Sequence, residues 1–399
     1  MTKSPEKRLV LLVDDDSENI RIVHSILKDR YKIRVAMSAA EALELAKAEP
    51  LPDLILLDVM MPQMNGYEVC GCLKADQRTR DIPIIFLTGK TEVADETRGF
   101  EVGAVDYIHK PFSPPVVTAR LRTHLMLRDA RETVARQLLA INSELEMARQ
   151  IQLSILPQQT PRLAGLEIEA RYLPMSSVAG DFYDFLVLDE KRLGILIADV
   201  SGHGLPSALI ASMLQTALAA QLPNACHPPQ VLSGLNQALW GKFQSQYVTA
   251  AYLFVDLSKG TVKYAGAAHP PLLLWQSKTG RSTEYVQNGL MLGPFSDSKY
   301  SETTLSLQHG DKIVLITDGV IEARNSSDQE FGMQSLREIV DSNHSLPVNR
   351  LADAVLEGLS GWSEDAIGAG QSDDITLLAM DFNVAAITAR IPNSSDTDR

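Results

Sequence analysis

The sequence predicts two folded domains of different class, a doubly wound α/β domain and then an α+β layered domain, joined by a long helix. Over residues 9–127, short apolar runs alternate with helical patterns. From about residue 163 onward, strand-like runs separated by Gly and Asp turns predominate, and the helices are grouped between them. A chain of 399 residues is long enough for two or three domains.

The first domain, residues 1–118, is predicted to form a five-stranded parallel sheet covered on both faces. Its predicted strands are short and rich in aliphatic and β-branched residues: Leu9–Val13, Ile33–Ala36, Leu54–Leu57, Ile82–Leu87 and Val105–Ile108. Strands that are apolar almost throughout, rather than at alternate positions, are typical of such a sheet. Helical patterns such as Glu18–Leu27 and Ala39–Ala48 lie between the strands.

Residues 119–160 are predicted to be a helical linker. Residues 113–156 contain no glycine, and no proline after Pro115. Seven positions are spaced alternately by four and three residues: Val134, Leu138, Ile141, Leu145, Ala148, Gln152 and Ile155. Six of the seven are apolar and the spacing averages 3.5 residues, the period of a coiled coil. The helix could instead pack on its own chain; we favour a seam between two copies, and therefore a homodimer.

The second domain is placed at residues 161–383. Its predicted strands are Ile195–Val200, Val248–Leu257, Thr261–Ala265, Leu272–Trp275, Lys312–Ile316 and Ile375–Phe382. Helices are expected near 206–220 and 229–243, with two more between 334 and 362. Strands in bulk with segregated helices indicate an α+β layered domain. The polar tail, residues 384–399, is predicted to be disordered.

Composition excludes several classes of protein. The net charge is −13 and no segment forms a basic face, so we expect no binding to nucleic acid. A DNA-binding regulator is excluded further because no helix-turn-helix candidate is present. Three cysteines are too few for a disulfide framework. No apolar stretch approaches 18 residues and no signal peptide is recognisable, so we expect a cytoplasmic protein without a membrane segment.

Carboxylates follow two strands of the first domain. Asp14, Asp15 and Asp16 come directly after the first strand, and Asp58 comes after the third. The carboxyl ends of parallel strands meet at one edge of the sheet, where open α/β folds place their sites. Crowded carboxylates repel one another unless a cation lies between them, and Mg²⁺ suits such oxygen ligands. Thr88 and Lys110 follow two further strands and offer a hydroxyl and a positive charge.

This arrangement resembles the bacterial two-component receiver domain, which has a flavodoxin-like fold. The residues that carry the resemblance are Val13-Asp14-Asp15-Asp16, the segment 57–66 that begins Leu57-Asp58, Thr88, and Lys110-Pro111-Phe112. The resemblance implies that Asp58 accepts a phosphoryl group from a cognate sensor histidine kinase. It also implies that Mg²⁺ is bound by Asp15, Asp58 and the Met60 carbonyl, with Asp14 assisting through water. Thr88 and Tyr107 would be the switch pair, with Lys110 beside them.

Four further aspartates stand out in the second domain. They lie in Gly180-Asp181-Phe182, Asp199-Val200-Ser201-Gly202-His203-Gly204, Thr317-Asp318-Gly319 and Ser372-Asp373-Asp374. Each adjoins an apolar strand, so carboxylates from four distant segments can converge on one sheet edge. Oxygen ligands without a cysteine or histidine cluster favour Mg²⁺ or Mn²⁺ over zinc. Four aspartates around two ions is the composition of a two-metal hydrolase.

These motifs resemble the metal-dependent serine/threonine phosphatases of the PPM (PP2C-like) superfamily, which have a layered β-sandwich. The nearest likeness is to the SpoIIE/RsbU-type bacterial branch that controls stress and sporulation sigma factors, and it covers about residues 147–383. Further matching segments are Ala148-Arg149-Gln150-Ile151-Gln152, Ala268-His269-Pro270-Pro271 and Gly289-Leu290-Met291-Leu292-Gly293. The resemblance implies that Asp181, Asp199, Asp318, Asp373 and the Val200 carbonyl hold two Mn²⁺ or Mg²⁺ ions.

Taken together, the two resemblances imply a response regulator whose phosphorylation at Asp58 controls hydrolysis of phosphoserine or phosphothreonine on a regulatory protein. The branch suggests an anti-sigma-factor antagonist of the STAS type as substrate, and we expect phosphorylation to activate. The alternative is a non-enzymatic adaptor that binds a sigma factor or its regulator; the four aspartates disfavour it. His203 could protonate the leaving group, or could be a turn histidine that caps the next helix. His269 is expected to be structural.

Overall fold

A computed structural model describes residues 7–89, 97, 99–176, 178–243, 245–363, 367–368 and 371–383. The chain forms two compact units, Met1–Ile141 and Asn142–Arg399. The tail that we predict to be disordered lies outside the described residues. Among the described residues, no helix combines the length and apolar character that a membrane span requires.

The first unit contains a five-stranded parallel sheet in the strand order β2-β1-β3-β4-β5. Its strands are β1 (Leu9–Val13), β2 (Lys32–Ala36), β3 (Leu54–Asp58), β4 (Ile84–Thr88) and β5 (Asp106–His109). Helices α1 (Ser17–Leu27), α2 (Ala39–Lys47) and α3 (Gly66–Ala75) connect the first four strands in turn. The predicted doubly wound sheet is confirmed. The fourth strand begins two residues later than predicted, directly after Pro83, which has no N–H to contribute to the ladder.

Both faces of this sheet are buried, as the uninterrupted apolar strands predicted. In β1, Leu11 and Val13 join one hydrophobic core with residues of α2 and α3, while Val10 and Leu12 face a second core. Successive side chains of a strand point to opposite faces, so a strand buried on both sides must be apolar throughout. Short capping bonds fix the helix ends; Asp16, for example, accepts a hydrogen bond from the Glu18 N–H at 2.8 Å.

Helix α4 (Pro114–Ile155) is continuous over 42 residues and ends within one residue of both limits of the glycine-free stretch 113–156; the linker predicted at 119–160 lies five residues further along the chain. It begins in the first unit and ends in the second. Near its start, Val117, Leu121 and Leu125 are buried in the core of the first unit. Further along, Val134, Leu138 and Ile141 are all more than half exposed.

The second unit contains two mainly antiparallel sheets. The six-stranded sheet runs β13-β10-β9-β8-β7, with β14 also paired to β10, and comprises β7 (Phe182–Val187), β8 (Arg192–Val200), β9 (Val248–Asp256), β10 (Thr261–Ala267), β13 (Asn288–Gly289) and β14 (Thr303–Ser306). The five-stranded sheet runs β12-β11-β15-β16-β6 and comprises β6 (Leu166–Leu173), β11 (Leu272–Gln276), β12 (Arg281–Tyr285), β15 (Asp311–Ile316) and β16 (Ile375–Phe382).

Helices cover the outer faces, so this unit has the layer order helix, sheet, sheet, helix. The helices are α5 (Leu205–Ala219), α6 (Pro228–Leu239), α7 (Asp318–Ile321), α8 (Gly332–Asn343) and α9 (Val348–Trp362). In β16, Leu378 and Met380 join the core that both sheets share, whereas Leu377 and Ala379 pack with α8 and α9. The predicted α+β layered architecture is confirmed.

Candidate active sites

The carboxylates of the first unit meet at the carboxyl edge of its parallel sheet. Asp14 follows β1 and is fully buried, Asp58 ends β3 and is 4% exposed, and Asp15 is exposed. Carboxylate oxygens of these three residues lie within 4.8 Å of one another. Asp14 is fixed by hydrogen bonds from the Asp16 N–H (2.9 Å) and the Asn19 side chain (3.1 Å).

Lys110 neutralises part of this charge. Its Nζ lies 2.9 Å from Asp14 Oδ2 and 3.0 Å from Asp58 Oδ1. Burial raises the pKa of Asp58 and the neighbouring Asp14 carboxylate adds to the rise, although the Lys110 hydrogen bond opposes it. Burial by itself would lower the pKa of Lys110, but the two carboxylates raise it above its ordinary value. The site therefore holds a charged ammonium beside two buried carboxylates.

The predicted switch residues are both buried in the sheet. Thr88, at the end of β4, is 2% exposed, and Tyr107, in β5, is 4% exposed. The Tyr107 ring packs against Phe86 and Phe100, with ring centres 5.5 and 5.3 Å away. A Cβ added at Gly99 would meet the Tyr107 hydroxyl at 1.5 Å, so this glycine is required by the inward position of the tyrosine. Met60, whose carbonyl is the expected metal ligand, has an exposed side chain.

The four aspartates of the second unit converge from four segments. Asp181 precedes β7, Asp199 is the penultimate residue of β8, Asp318 begins α7 after β15, and Asp373 lies just before β16. Burial and mutual repulsion raise the pKa values of Asp181, Asp199 and Asp318. Burial, followed by repulsion from Asp318 and Asp373, raises the pKa of Asp199 to about 8. Burial and then Asp373 raise the pKa of Asp318 to about 6.

Asp181 lies deepest and is held by two threonines. Its Oδ2 accepts hydrogen bonds from the hydroxyls of Thr317 (2.8 Å) and Thr376 (2.6 Å). Its Oδ1 is buried without a hydrogen-bond partner. Burial and the neighbouring Asp199 carboxylate raise the pKa of Asp181 well above its ordinary value. A buried carboxylate oxygen without a donor is costly unless a cation satisfies it.

Asp374, adjacent to a predicted ligand, has an anchoring role that the sequence analysis did not assign. Its two carboxylate oxygens accept hydrogen bonds from the Met175 N–H (2.7 Å) and the Gly180 N–H (2.6 Å). It thereby fixes the loop that carries Asp181. Close packing explains two glycines of the site: a Cβ at Gly319 would lie 2.0 Å from the Asp374 carbonyl oxygen, and one at Gly180 would lie 2.7 Å from that of Val200.

Sequence reasoning also missed Thr317, Thr376 and Glu322. The threonines adjoin the aspartate motifs in the sequence, so their positions could have indicated that they belong to the same site. Glu322 is exposed one turn after Asp318, and its charge contributes to the raised pKa values of Asp199 and Asp318. A single acidic residue four positions after a motif aspartate cannot be recognised from the sequence as part of the site.

The two histidines differ in their surroundings. His203 is exposed, and the following helix has Gly204 at its N-cap without a side-chain cap, so the alternative that His203 caps this helix is wrong. His269 is 2% exposed, and its Nδ1 lies 2.9 Å from the Thr249 hydroxyl. Burial lowers the pKa of His269 to about 3.

The donor sets of both units fit divalent cations that prefer oxygen ligands. In the first unit, Asp14, Asp15 and Asp58 form a compact carboxylate group. In the second, Asp181 presents an unpartnered buried oxygen, and Asp199, Asp318 and Asp373 repel one another across the same cluster. Positive ions would relieve that repulsion and lower the carboxylate pKa values. Carboxylate and carbonyl oxygens suit Mg²⁺ and Mn²⁺.

Comparison with protein families gives two matches. Residues 10–122 match the response regulator receiver domain, and residues 189–383 match stage II sporulation protein E (SpoIIE). A solved structure, the SiaA-PP2C domain of Pseudomonas aeruginosa, aligns with a TM-score of 0.55 at 24% identity and covers 62% of this chain and all of that one. The second unit therefore has the PP2C fold.

Curated relatives match parts of the chain. The phosphoserine phosphatase RsbU of Bacillus subtilis is 35% identical over 188 residues, which is 47% of this chain and 56% of that protein. A probable cyclic di-GMP phosphodiesterase of Vibrio cholerae is 44% identical over 128 residues, which is 32% of this chain and 29% of that protein. The chain thus spans about half or less of the length of these relatives.

Proposed function

Because the chain joins a response regulator receiver domain to a SpoIIE-type domain with the PP2C fold, we propose that it is a phosphorylation-controlled, metal-dependent protein phosphatase. Phosphorylation of Asp58 would control hydrolysis of phosphoserine or phosphothreonine on a regulatory protein. The observation that carries the proposal is the convergence of Asp181, Asp199, Asp318 and Asp373, together with the raised pKa values of the first three.

In the receiver, the proposed phosphoacceptor is Asp58 and the donor is a sensor histidine kinase. Lys110 already bridges Asp14 and Asp58, so its ammonium is placed to hold an oxygen of a phosphoryl group on Asp58. Asp14, Asp15, Asp58 and the Met60 carbonyl would hold Mg²⁺. Thr88 and Tyr107 would report the change of charge from their buried positions at β4 and β5.

In the second unit, Asp181, Asp199, Asp318, Asp373 and the Val200 carbonyl would hold two Mn²⁺ or Mg²⁺ ions. When bound, such ions polarise water and neutralise phosphate charge in ester hydrolysis. Thr317 and Thr376 orient Asp181 by their hydroxyl bonds, and Asp374 fixes the loop before it. His203 is exposed and lies three residues after Val200 in the chain, and it is available to protonate the leaving alkoxide.

For the substrate, we propose an anti-sigma-factor antagonist of the STAS type in its phosphorylated form. The support is the similarity over nearly half of the chain to RsbU, a phosphoserine phosphatase, and the match to the SpoIIE family. We also propose a homodimer through helix α4. Its support is the exposed apolar stretch formed by Val134, Leu138 and Ile141.

Not every position of the repeat is available for the proposed seam. Gln152, its sixth position, is buried and hydrogen-bonded within its own chain. That position therefore cannot contribute to an interface between two copies in this conformation. The proposed dimer contact lies at the earlier positions of the repeat.

The enzymatic part of the proposal is tested with the purified full-length protein, Mn²⁺ and p-nitrophenyl phosphate. We expect metal-dependent phosphate release that the Asp318→Asn variant loses while its circular dichroism spectrum is unchanged. Full activity in Asp318→Asn would refute the metal-ligand assignment. If the wild-type protein has no activity and calorimetry detects no Mn²⁺ binding that Asp318→Asn removes, the non-enzymatic adaptor is the better account.

A further inference from the structure

The last turns of helix α4 are tied directly to the loop before Asp181. The Gln152 side chain donates a hydrogen bond from Nε2 to the Ala179 carbonyl oxygen at 2.5 Å. In return, the Ala179 N–H donates to Gln152 Oε1 at 2.9 Å. Both ends of one amide side chain are therefore bonded to both polar groups of one backbone residue.

Burial makes this pair of hydrogen bonds necessary for a stable fold. Gln152 is 6% exposed and Ala179 is fully buried. Buried amide groups are stabilising only when their hydrogen bonds are made, and an unpaired one costs substantial free energy. The side chain can satisfy both bonds only if the helix and the loop keep one relative position, since the amide is planar and short.

The clamped loop leads straight into the proposed metal cluster. Gly180, the next residue, donates its N–H to Asp374 Oδ2 at 2.6 Å, and Asp181 follows it. Gly180 also packs closely against the Val200 carbonyl, the proposed backbone ligand of this cluster. One residue, Gly180, thus separates the residue that Gln152 contacts from the deepest carboxylate of the cluster.

A second bond ties the same helix end to helix α5. Gln215, in α5, donates from Nε2 to the Ile155 carbonyl oxygen at 3.0 Å. Helix α5 follows the segment that contains Asp199 and Val200. The end of α4 is therefore bonded to the loop before Asp181 and to the helix that follows Asp199 and Val200 in the chain.

We propose that Gln152 is a positioning residue through which helix α4 sets the orientation of Ala179–Asp181 and so the affinity of this cluster for divalent cations. The inference rests on the proposed function, because it assigns the clamp a role in that site. Helix α4 begins at Pro114, just after Lys110, and continues without a break to Ile155. A change of its axial position or rotation would reach Asp181 through this one side chain.

The test compares full-length Gln152→Met with Gln150→Met. Methionine keeps the length of the side chain and removes both hydrogen bonds, and Gln150 is exposed two residues earlier on the same helix. Mn²⁺ binding is measured by calorimetry with and without beryllofluoride, which mimics a phosphoryl group on Asp58. The Asp318→Asn variant retains the receiver carboxylates and so identifies which binding belongs to the second unit.

We expect Gln152→Met to weaken Mn²⁺ binding by about tenfold, the low end for groups that orient metal ligands, and to abolish the effect of beryllofluoride on that affinity. Gln150→Met should match the wild type. Unchanged affinity and an unchanged beryllofluoride effect in Gln152→Met would overturn this inference alone. No Mn²⁺ binding at the second unit of the wild-type protein would overturn the proposed function as well. Should Gln152→Met fail to fold, Gln152→Glu, which keeps an acceptor for the Ala179 N–H, takes its place.

Discussion

Asp181 shows how the site depends on neighbours that are not themselves proposed ligands. One of its carboxylate oxygens is satisfied by two threonine hydroxyls, and the other has no hydrogen-bond partner. The two threonines lie in different motifs: Thr317 directly precedes Asp318, and Thr376 is the second residue of β16, after Asp373 and Asp374. They fix the rotamer of Asp181 and leave its second oxygen buried without a donor.

Thr376→Val is expected to destabilise the second unit by about 1–2 kcal/mol, because a buried carboxylate loses a charge-assisted hydrogen bond. Urea denaturation measures the change. Thr304→Val, at an exposed position of β14, removes the same atom where it is solvated and should change stability by less than about 0.5 kcal/mol. Equal effects of the two substitutions would show that the Thr376 hydroxyl does not hold Asp181.

His269 gives the fold a defined sensitivity to acid. Its folded-state pKa is about 3, below the ordinary value of 6.5, so the unfolded chain takes up the proton first as the pH falls. The stability contributed by the neutral ring is complete well above pH 6.5 and is lost as the pH falls from there toward 3. From pH 6.5 to 5, we expect a loss of about 1.5–2 kcal/mol from this residue.

The measurement is the difference in free energy of unfolding between pH 6.5 and 5, compared between the wild type and His269→Gln. The difference should shrink by that amount in the variant. His309→Gln, at an exposed position, should leave it unchanged. A wild-type difference that His269→Gln fails to reduce would mean that other groups cause the acid sensitivity.

At the residue level, the acidic motifs could be predicted from the sequence, but the separate roles of the residues within each motif could not. Asp373 and Asp374 are adjacent, and only the fold shows that Asp374 accepts the Met175 and Gly180 N–H groups while Asp373 repels Asp199 and Asp318. Which neighbour of a doublet turns inward depends on strand register and on packing partners nearly 200 residues away in the chain. No local pattern encodes these.

At the level of elements, the predictions that succeeded rest on periodicity. The five parallel strands were recognisable because each is apolar on both faces, and helix α4 because 42 residues lack an internal break. Gln152 was wrongly placed in the proposed seam because glutamine at a heptad position is compatible with either a coiled coil or an internal hydrogen bond. In the structure, Gln152 forms the internal hydrogen bonds, with the backbone of Ala179.

Leu138→Glu tests the remaining part of the seam. Leu138 is 55% exposed on α4, so the substitution should not disturb the fold of either unit. In a dimer, it would place two carboxylates against each other, and we expect monomers in sedimentation velocity at concentrations where the wild type dimerises. Gln137→Glu adds the same charge one position off the repeat and should remain dimeric. A monomeric wild type would contradict the proposed dimer outright.

At the level of the whole molecule, one chain carries two carboxylate clusters with different electrostatics. In the first unit, Lys110 neutralises buried Asp14 and Asp58. In the second, burial and then repulsion between carboxylates raise the pKa values of Asp199 and Asp318, so cations are expected to bind there with release of protons. Because a single helix runs from the first unit into the second, a change of charge at Asp58 has a continuous element through which to act.

The most direct test of this account is the ratio of Mn²⁺-dependent p-nitrophenyl phosphate hydrolysis with and without beryllofluoride in the full-length protein. Coupling between two sites in one protein is typically 5–150-fold, and we expect activation within that range. In Asp58→Asn, which keeps the second unit intact, the ratio should fall to one while basal hydrolysis persists. A wild-type ratio of one, in a protein that hydrolyses the ester, would contradict control of the phosphatase by the receiver.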